Sequence, residues 1–249
     1  MTGNGSSFCL RYSPLDSERF RRRIYRTELA RLNAAELTLA MEREAVDTLI
    51  ARIAPDALGD VSSLYSRGWL PIVADTQVHY DLSLDNFEDA PNLAKIEFAP
   101  ISREDEDQLR RMARAIFSDY PSHYRANPLL DPSAIAEGYA DWATRHIGAT
   151  DSQIWFVFVG GVPAGFTGCR LEQDGHLARG VLNGILPHLR NRGLYRAMFH
   201  LMLRLFKDAG QTSFAITTQA HNVAVQRVWT DAGLKLRSTE YTLHINRVG

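Results

Sequence analysis

Between residues 181 and 210 the apolar pattern changes period once, and no other stretch constrains the fold as much. Residues 181–186 form a short apolar run, broken by Asn183 and Gly184 and stopped by Pro187, which suits a buried strand. From Leu194 the apolar positions fall at Ala197, Met198, Leu201, Met202 and Leu205, and Gly210 closes the run, so a helix with one buried face follows. The turn between them is Arg190-Asn191-Arg192-Gly193. A helix N-terminus presents backbone N–H groups with no intrahelical partner, glycine lets the main chain come close to an anion, and arginine adds charge. The stretch therefore suits a pyrophosphate, although an ordinary strand-to-helix turn has the same composition.

At 249 residues the chain is long enough for one large domain or two small ones. Its net charge of -1 argues against a nucleic-acid binder that relies on broad phosphate attraction. Cys9 and Cys169 stand far apart with no metal-ligand spacing, and no histidine pair has a third candidate ligand, so no metal is expected. No apolar run has the length of a bilayer span, and Met1 to Ser7 is uncharged and rich in Gly and Ser. The expectation is a soluble, cytoplasmic protein with neither a membrane nor a nucleic-acid partner.

Along the chain, residues 8–12 read as a first strand, and Arg21-Arg22-Arg23 as a solvated basic turn. Residues 34–54 carry Leu37, Met41, Val46, Leu49, Ile50 and Ile53 among Glu and Arg after Asn33, predicting one amphipathic helix with an Asn N-cap. A short helix over 61–66, ended by Gly68, and a strand over 69–84 follow. Residues 86–92 have linker composition, which places a boundary between domains 1–92 and 93–249. Beyond it come a strand at 94–99, a Ser102/Asp105 capping pair, and a helix burying Leu109, Met112, Ala113 and Ile116 that breaks at Ser118-Asp119-Tyr120-Pro121. A polar-aromatic loop, 122–128, precedes a helix over 133–146. Strands at 154–159 and 162–171 flank Gly160-Gly161, a hairpin signal, and a second turn falls at 173–176. A strand at 212–218, a helix at 223–231 and a last strand or strands over 235–246 complete a mixed α/β order.

The spacing hydrophobic-x-Pro-x-x-Arg-x-x-Gly, carried by Ile185, Pro187, Arg190 and Gly193, resembles the acyl-CoA pyrophosphate signature of the GNAT superfamily of N-acetyltransferases. Tyr195 departs from it, standing where the family has Gly or Ala, so its ring is expected to widen or partly block the loop. Four segments together resemble the dTDP-fucosamine (dTDP-4-amino-4,6-dideoxygalactose) acetyltransferase type. They are 15–20; Ser122-His123-Tyr124 with Asn127-Pro128 and Tyr139-Ala140-Asp141-Trp142; the basic turn; and 217–222 running into Arg227, Trp229, Gly233 and 238–241. The resemblance implies a GNAT fold, α/β (α+β), with a mixed, mostly antiparallel sheet flanked by helices and a smaller N-terminal α/β domain.

The resemblance also implies roles. Ile185, Leu186, Pro187, Arg190, Asn191, Arg192, Gly193, Leu194, Tyr195, Asn222 and Trp229 are the expected cofactor-binding residues for acetyl-CoA, with a backbone N–H near 185–187 polarising the thioester carbonyl. Asn222 is equally placed to be an N-cap. Seven residues beyond it, where the family has the Tyr that protonates the thiolate, stands Trp229, which does not titrate and could equally be a packing residue. Another phenol such as Tyr241 or Tyr195, water or the ammonium product, or a chain without catalysis are the alternatives. His123, of a residue type that titrates near 6.5, is expected to take a proton from the acceptor, with Tyr124 beside it. The catalytic candidates are thus Tyr241, His123 and Asn222, and the substrate-binding ones His123 and Tyr124. The expected activity is acetyl-CoA-dependent acetylation of a nucleotide-linked amino sugar. Acetylation of another small amine and non-catalytic acyl-CoA binding are the other readings, and a homodimer is left open.

Overall fold

The computed structural model describes residues 9–59, 61–172 and 175–248, so residues 1–8, including the first position of the strand expected at 8–12, and the centre of the turn at 173–176 lie outside the described residues. The strands are β1 (Arg11–Tyr12), β2 (Ile24–Leu29), β3 (Thr48–Ile53), β4 (Trp69–Ser83), β5 (Glu97–Pro100), β6 (Ser152–Val159), β7 (Val162–Glu172), β8 (Leu177–Ile185), β9 (Ser213–Gln219) and β10 (Lys235–Arg247). The helices are α1 (Pro14–Phe20), α2 (Ala34–Arg43), α3 (Glu106–Phe117), α4 (Ile135–Thr144), α5 (Leu194–Asp208) and α6 (Val223–Asp231). Two compact units form: one from Met1–Gln77, Pro121–Ala134 and Thr239–Gly249, the other from Val78–Tyr120 and Ile135–Ser238. The split is discontinuous in sequence. The expected boundary near 92 falls inside the second unit, because Phe87 is 5% exposed in that unit's core and its carbonyl accepts from Lys207 Nζ at 2.9 Å.

In the first unit the strands run β1-β2-β3-β10-β4. β2 and β3 are parallel, paired from Ile24↔Thr48 to Leu29↔Ile53, and β10 lies antiparallel to β3 from Tyr241↔Ile53 to Asn246↔Thr48. The expected helix over 34–54 is instead a helix and a strand. Asn33 caps α2 as expected, accepting the Glu36 N–H, but α2 stops at Arg43 and Ala45 takes a left-handed φ of 48°. That reversal feeds the apolar run Thr48–Ile53 into the sheet as a buried strand. Leu49, Ala51 and Ile53 join Leu37, Met41, Leu243 and Ile245 in one core, while Thr242, His244 and Asn246 take the opposite face of β10, buried as well. Arg21-Arg22-Arg23 turns as expected: Arg21 has φ 51° and the Arg23 N–H donates to Asp47 Oδ2 at 2.7 Å.

In the second unit the order is β4-β9-β8-β7-β6-β5, antiparallel in β5/β6, β6/β7 and β7/β8 and parallel in β8/β9. The fold is thus α/β with a mostly antiparallel sheet flanked by helices. Gly160 and Gly161, with φ of 56° and 78°, make the β6–β7 turn, and Ser102 and Asp105 form the capping box ahead of α3. α5 buries Ala197, Met198, Phe199, Met202, Leu203 and Phe206; Leu205, expected on that face, is 39% exposed because the face centres on Phe199, Met202 and Phe206. Among the described residues no helix is long and apolar enough to cross a membrane.

Candidate active site

Among the described residues, the parallel pairs β2/β3 and β8/β9, each joined through a helix, end differently. β2 and β3 stay paired along their whole length. β8 and β9 pair only from Leu177↔Ser213 to Gly180↔Ile216, so 181–185 and 217–219 run on without each other. The strands part at their carboxyl ends, where open α/β sheets hold ligands. Leu186 N–H donates to Ala164 O at 2.8 Å, opposite it on β7. Alternation along an antiparallel ladder then turns the N–H of Ile185, opposite Gly165, away from β7 toward the opening. Since Pro187 has no N–H and that of Leu186 is bonded to Ala164, Ile185 carries the main-chain N–H within 185–187 that faces the opening.

The chain leaves β8 through a single turn, Pro187–Leu189, passes Asn191 at φ 62° and Gly193 at φ 74°, and enters α5 at Leu194. No side chain caps α5, and a Cβ at Gly193 would meet nothing within 4 Å. Arg190, Asn191, Arg192 and Gly193 are exposed. An uncapped helix start led by a bare glycine and flanked by two arginines fits an anionic phosphate group. Arg190 is also braced, its Nη2 donating at 2.9 Å to Ile116 O in the last turn of α3. That helix lies close on β8 because residue 184 is glycine: a Cβ there would sit 2.5 Å from Ile116 Cγ2.

Tyr195 does not block the turn. Its ring lies parallel to Phe199, with centroids 6.4 Å apart, and its hydroxyl donates to Asn183 Oδ1 at 2.9 Å while accepting from Trp229 Nε1 at 3.2 Å. Burial pushes its phenol well above the ordinary tyrosine range. Trp229 is 1% exposed, against Phe199 and edge-on to Tyr80, so it packs the core rather than offering a surface to acetyl-CoA. Asn222 heads α6 without capping it, and its Nδ2 donates instead to Thr218 Oγ1 at 3.0 Å.

Two side chains that the sequence did not single out stand on the other face of β9. His79 Nδ1 lies 2.9 Å from Thr217 Oγ1, and the Tyr120 hydroxyl donates to Gln219 Oε1. Both contacts join residues far apart in the chain; the only local sign was the helix break before Pro121.

Tyr241, His123 and Tyr124 belong to the first unit. Tyr241 packs against its apolar core. Tyr124 Oη donates to Asp16 Oδ1 at 3.0 Å and accepts from Arg26 Nη2 at 2.5 Å, and Arg26 forks onto Asp16 Oδ2 at 2.9 and 2.6 Å. Asn127 Nδ2 donates to His244 Nδ1 at 3.1 Å, so His244 carries its proton on Nε2 and donates to His123 Nδ1 at 2.8 Å. Neutral His123 then has no open acceptor nitrogen. Burial, aided by His244, Arg26 and Arg52, also holds its pKa well below 6.5, so it does not titrate where a base for an ammonium should. Burial likewise pushes Asp16 up, but Arg26 and hydrogen bonds from Ser13, Arg26 and Tyr124 bring its carboxyl below the ordinary value. Among the described residues no group of His, Cys, Asp and Glu could hold a metal ion.

The profile described as "Acetyltransferase (GNAT) family" matches residues 109–234, just over half of the chain. Among solved structures, a functionally unknown conserved protein from Staphylococcus epidermidis ATCC 12228 superposes with a TM-score of 0.68 at 10% identity, over 98% of this chain and 92% of that one. A GCN5-related N-acetyltransferase from Kribbella flavida gives 0.57 at 16% identity over 90% and 82%. Another from Sphaerobacter thermophilus gives 0.62 at 13% over 97% and 76%. No curated protein matches the sequence. With the opened strand pair, the glycine-led helix start and the matched profile in agreement, the chain belongs to the acetyltransferase (GNAT) family.

Proposed function

We propose that this GNAT enzyme acetylates the amine of a nucleotide-linked amino sugar. Family membership makes it an acetyl-CoA-dependent N-acyltransferase, with acetyl-CoA as co-substrate. The observation that carries the site assignment is the parting of β8 and β9 beyond Gly180 and Ile216, closed at one end by the uncapped start of α5. Ile185 and Asn183 on the open edge of β8, with the turn Arg190–Gly193 and Leu194, would hold the acyl-CoA. Asn222, anchored to Thr218, stands at the opposite lip.

The amino-sugar acceptor is supported by the four segments that resemble dTDP-fucosamine acetyltransferases, three of which lie in the first unit in whole or in part. In this reading His123 and Tyr124, engaged by the His244 and Asp16–Arg26 contacts, do not move a proton. Incubation of the purified chain with acetyl-CoA and a panel of dTDP-linked amino sugars, free amino sugars and simple amines tests the proposal. Preferential acetylation of the nucleotide-linked sugars supports it. Equal or better turnover of the others assigns a different amine, and binding without turnover across the panel marks an acyl-CoA binder.

A further inference from the structure

Beyond the parting of β8 and β9, each strand turns one polar side chain to the same face of the sheet. Phe214 and Ile216 of β9 enter the core beneath α5 and α6, so Thr218 lies on that face. Ile185 of β8 packs there against Leu194 and Met198, so Asn183 lies on it too. Both residues stand past Gly180 and Ile216, the last pair of the β8/β9 ladder. Thr218 Oγ1 accepts from Asn222 Nδ2 at 3.0 Å, and Asn183 is half-buried on the opposite lip.

A run of hydrogen bonds fixes which end of the Asn183 amide meets the opening. The indole of Trp229 can only donate, and it gives its Nε1–H to the Tyr195 oxygen at 3.2 Å. Burial makes the Tyr195 phenol a weaker acid than an ordinary tyrosine, so it keeps its proton and donates it to Asn183 Oδ1 at 2.9 Å. With its oxygen turned to Tyr195, the Asn183 amide turns its NH2 group the other way, where it has no hydrogen-bond partner among the described residues. A donor-only indole at one end of the run thus sets a donor at the other.

In aminolysis of a thioester, negative charge grows first on the carbonyl oxygen and then on the departing sulfur, and a preorganised donor is useful at each. The main-chain N–H of Ile185 lies in the plane of the sheet and serves the first. The Asn183 side chain rises out of that plane from the same strand, two residues earlier, on the side of α5 and α6. From this geometry we infer that the Asn183 NH2 group donates to the sulfur of acetyl-CoA as the C–S bond breaks, with Tyr195 and Trp229 as the positioning residues that aim it. The inference rests on the N-acetyltransferase reading above.

The step balances without a further reagent. The amine, having lost its ammonium proton to solvent, forms the C–N bond to the acetyl carbon as the C–S bond breaks and its electron pair stays on sulfur. Asn183 holds the thiolate without giving up a proton. Solvent then protonates the thiolate, and the new amide sheds its surplus proton to solvent.

The experiment is thiol release from acetyl-CoA with the amine panel by wild type, Asn183→Ala and Asn183→Asp, together with the pH at which bound CoA loses its S–H band in Raman spectra. Asn183→Asp keeps an acceptor for Tyr195 but no donor, and Asn183→Ala adds no charge. Both are expected to slow release by about a hundredfold with the acetyl-CoA Kd, measured by calorimetry, in place; Asn183→Asp should keep the melting temperature as well. The S–H band should persist to a pH about one unit higher in Asn183→Ala than in wild type, because the hydrogen bond that favours the charged form is gone. A merely structural role would leave that band where it is. Tyr195→Phe, which unfastens the amide, should lower kcat less and leave the KM for acetyl-CoA in place. Unchanged release in Asn183→Ala, a fall confined to Asn183→Asp, or an unmoved S–H band overturns the inference and leaves the transferase reading standing. A fall in rate matched by a rise in Kd overturns it as well. A wild type that binds acetyl-CoA and releases no thiol with any amine overturns the transferase reading and the inference together.

Discussion

Tyr195 accepts the indole N–H of Trp229 at 3.2 Å. These are the two positions at which the chain leaves the family's pattern, and the structure joins them. A phenol placed just after the pyrophosphate turn needs a place to go, and an indole in α6 gives its oxygen a donor within a shared aromatic stack on Phe199. The two side chains form one hydrogen-bonded, stacked unit with Phe199.

That coupling is measurable. Tyr195→Phe removes the donor to Asn183 and the acceptor for Trp229, and should cost about 1–3 kcal/mol of stability in urea denaturation. Trp229→Phe should cost a comparable amount or more through lost packing. Combined, the two should cost less than their sum by roughly 0.5 kcal/mol or more, and strict additivity would show the contact to be idle.

Gly193 has φ 74° with open space where a Cβ would stand, so Gly193→Ala meets a conformational penalty of about 1–2 kcal/mol and no clash. Calorimetry should show acetyl-CoA binding about tenfold weaker or more, since each 1.4 kcal/mol is about a factor of ten. Undiminished affinity would place the pyrophosphate elsewhere.

The first unit should lose stability as the pH falls below about 6.5. Burial first, then Arg26, holds the His244 pKa at about 3 against an opposing pull from Asp16, and His123 is held well below its ordinary value by burial, His244, Arg26 and Arg52. Between those folded values and 6.5 the unfolded chain binds more protons, so stability drops on acidification by about 1.4 kcal/mol per pH unit for each imidazole. Urea midpoints at pH 7.5, 6 and 5 read this directly; a flat series would contradict the buried neutral pair.

Asp16→Asn leaves the Arg26 guanidinium without its counter-charge in a site where Asp16 is 6% and Arg26 34% exposed by side chain. The expected loss is roughly 3 kcal/mol. In the wild type the Asp16 carboxyl sits below its ordinary value, so its contribution is present above pH about 4 and disappears as the pH falls through the folded pKa. A melting temperature equal to wild type at pH 7 would refute this.

Local devices were legible in the sequence. The period change at Pro187, the Asn33 cap, the Ser102/Asp105 box and the Gly160-Gly161 turn depend on residues a few positions apart and stand as expected. The strand Thr48–Ile53 was not legible, because a short apolar run next to a helix fits either period. β2 was hidden because Arg26 and Glu28 interrupt its apolar pattern, Arg26 turning toward Asp16 and Tyr124 rather than the core. Asp16, Tyr124 and His244 come together only in the folded unit, as do Tyr120 and Gln219, and no spacing announces either group. His123 looked like a base because its burial and its bond to His244 are tertiary facts.

The most direct test of the function is mass spectrometry of acceptors after incubation with isotope-labelled acetyl-CoA, using wild type and a variant with Arg190→Ala and Gly193→Val. Wild type should place one labelled acetyl group on the amine of a nucleotide-linked amino sugar, and the turn variant should fail through lost acetyl-CoA binding. Labelled product from the variant at the wild-type rate, or none from wild type with any amine, would contradict an acetyltransferase site at the parting of β8 and β9.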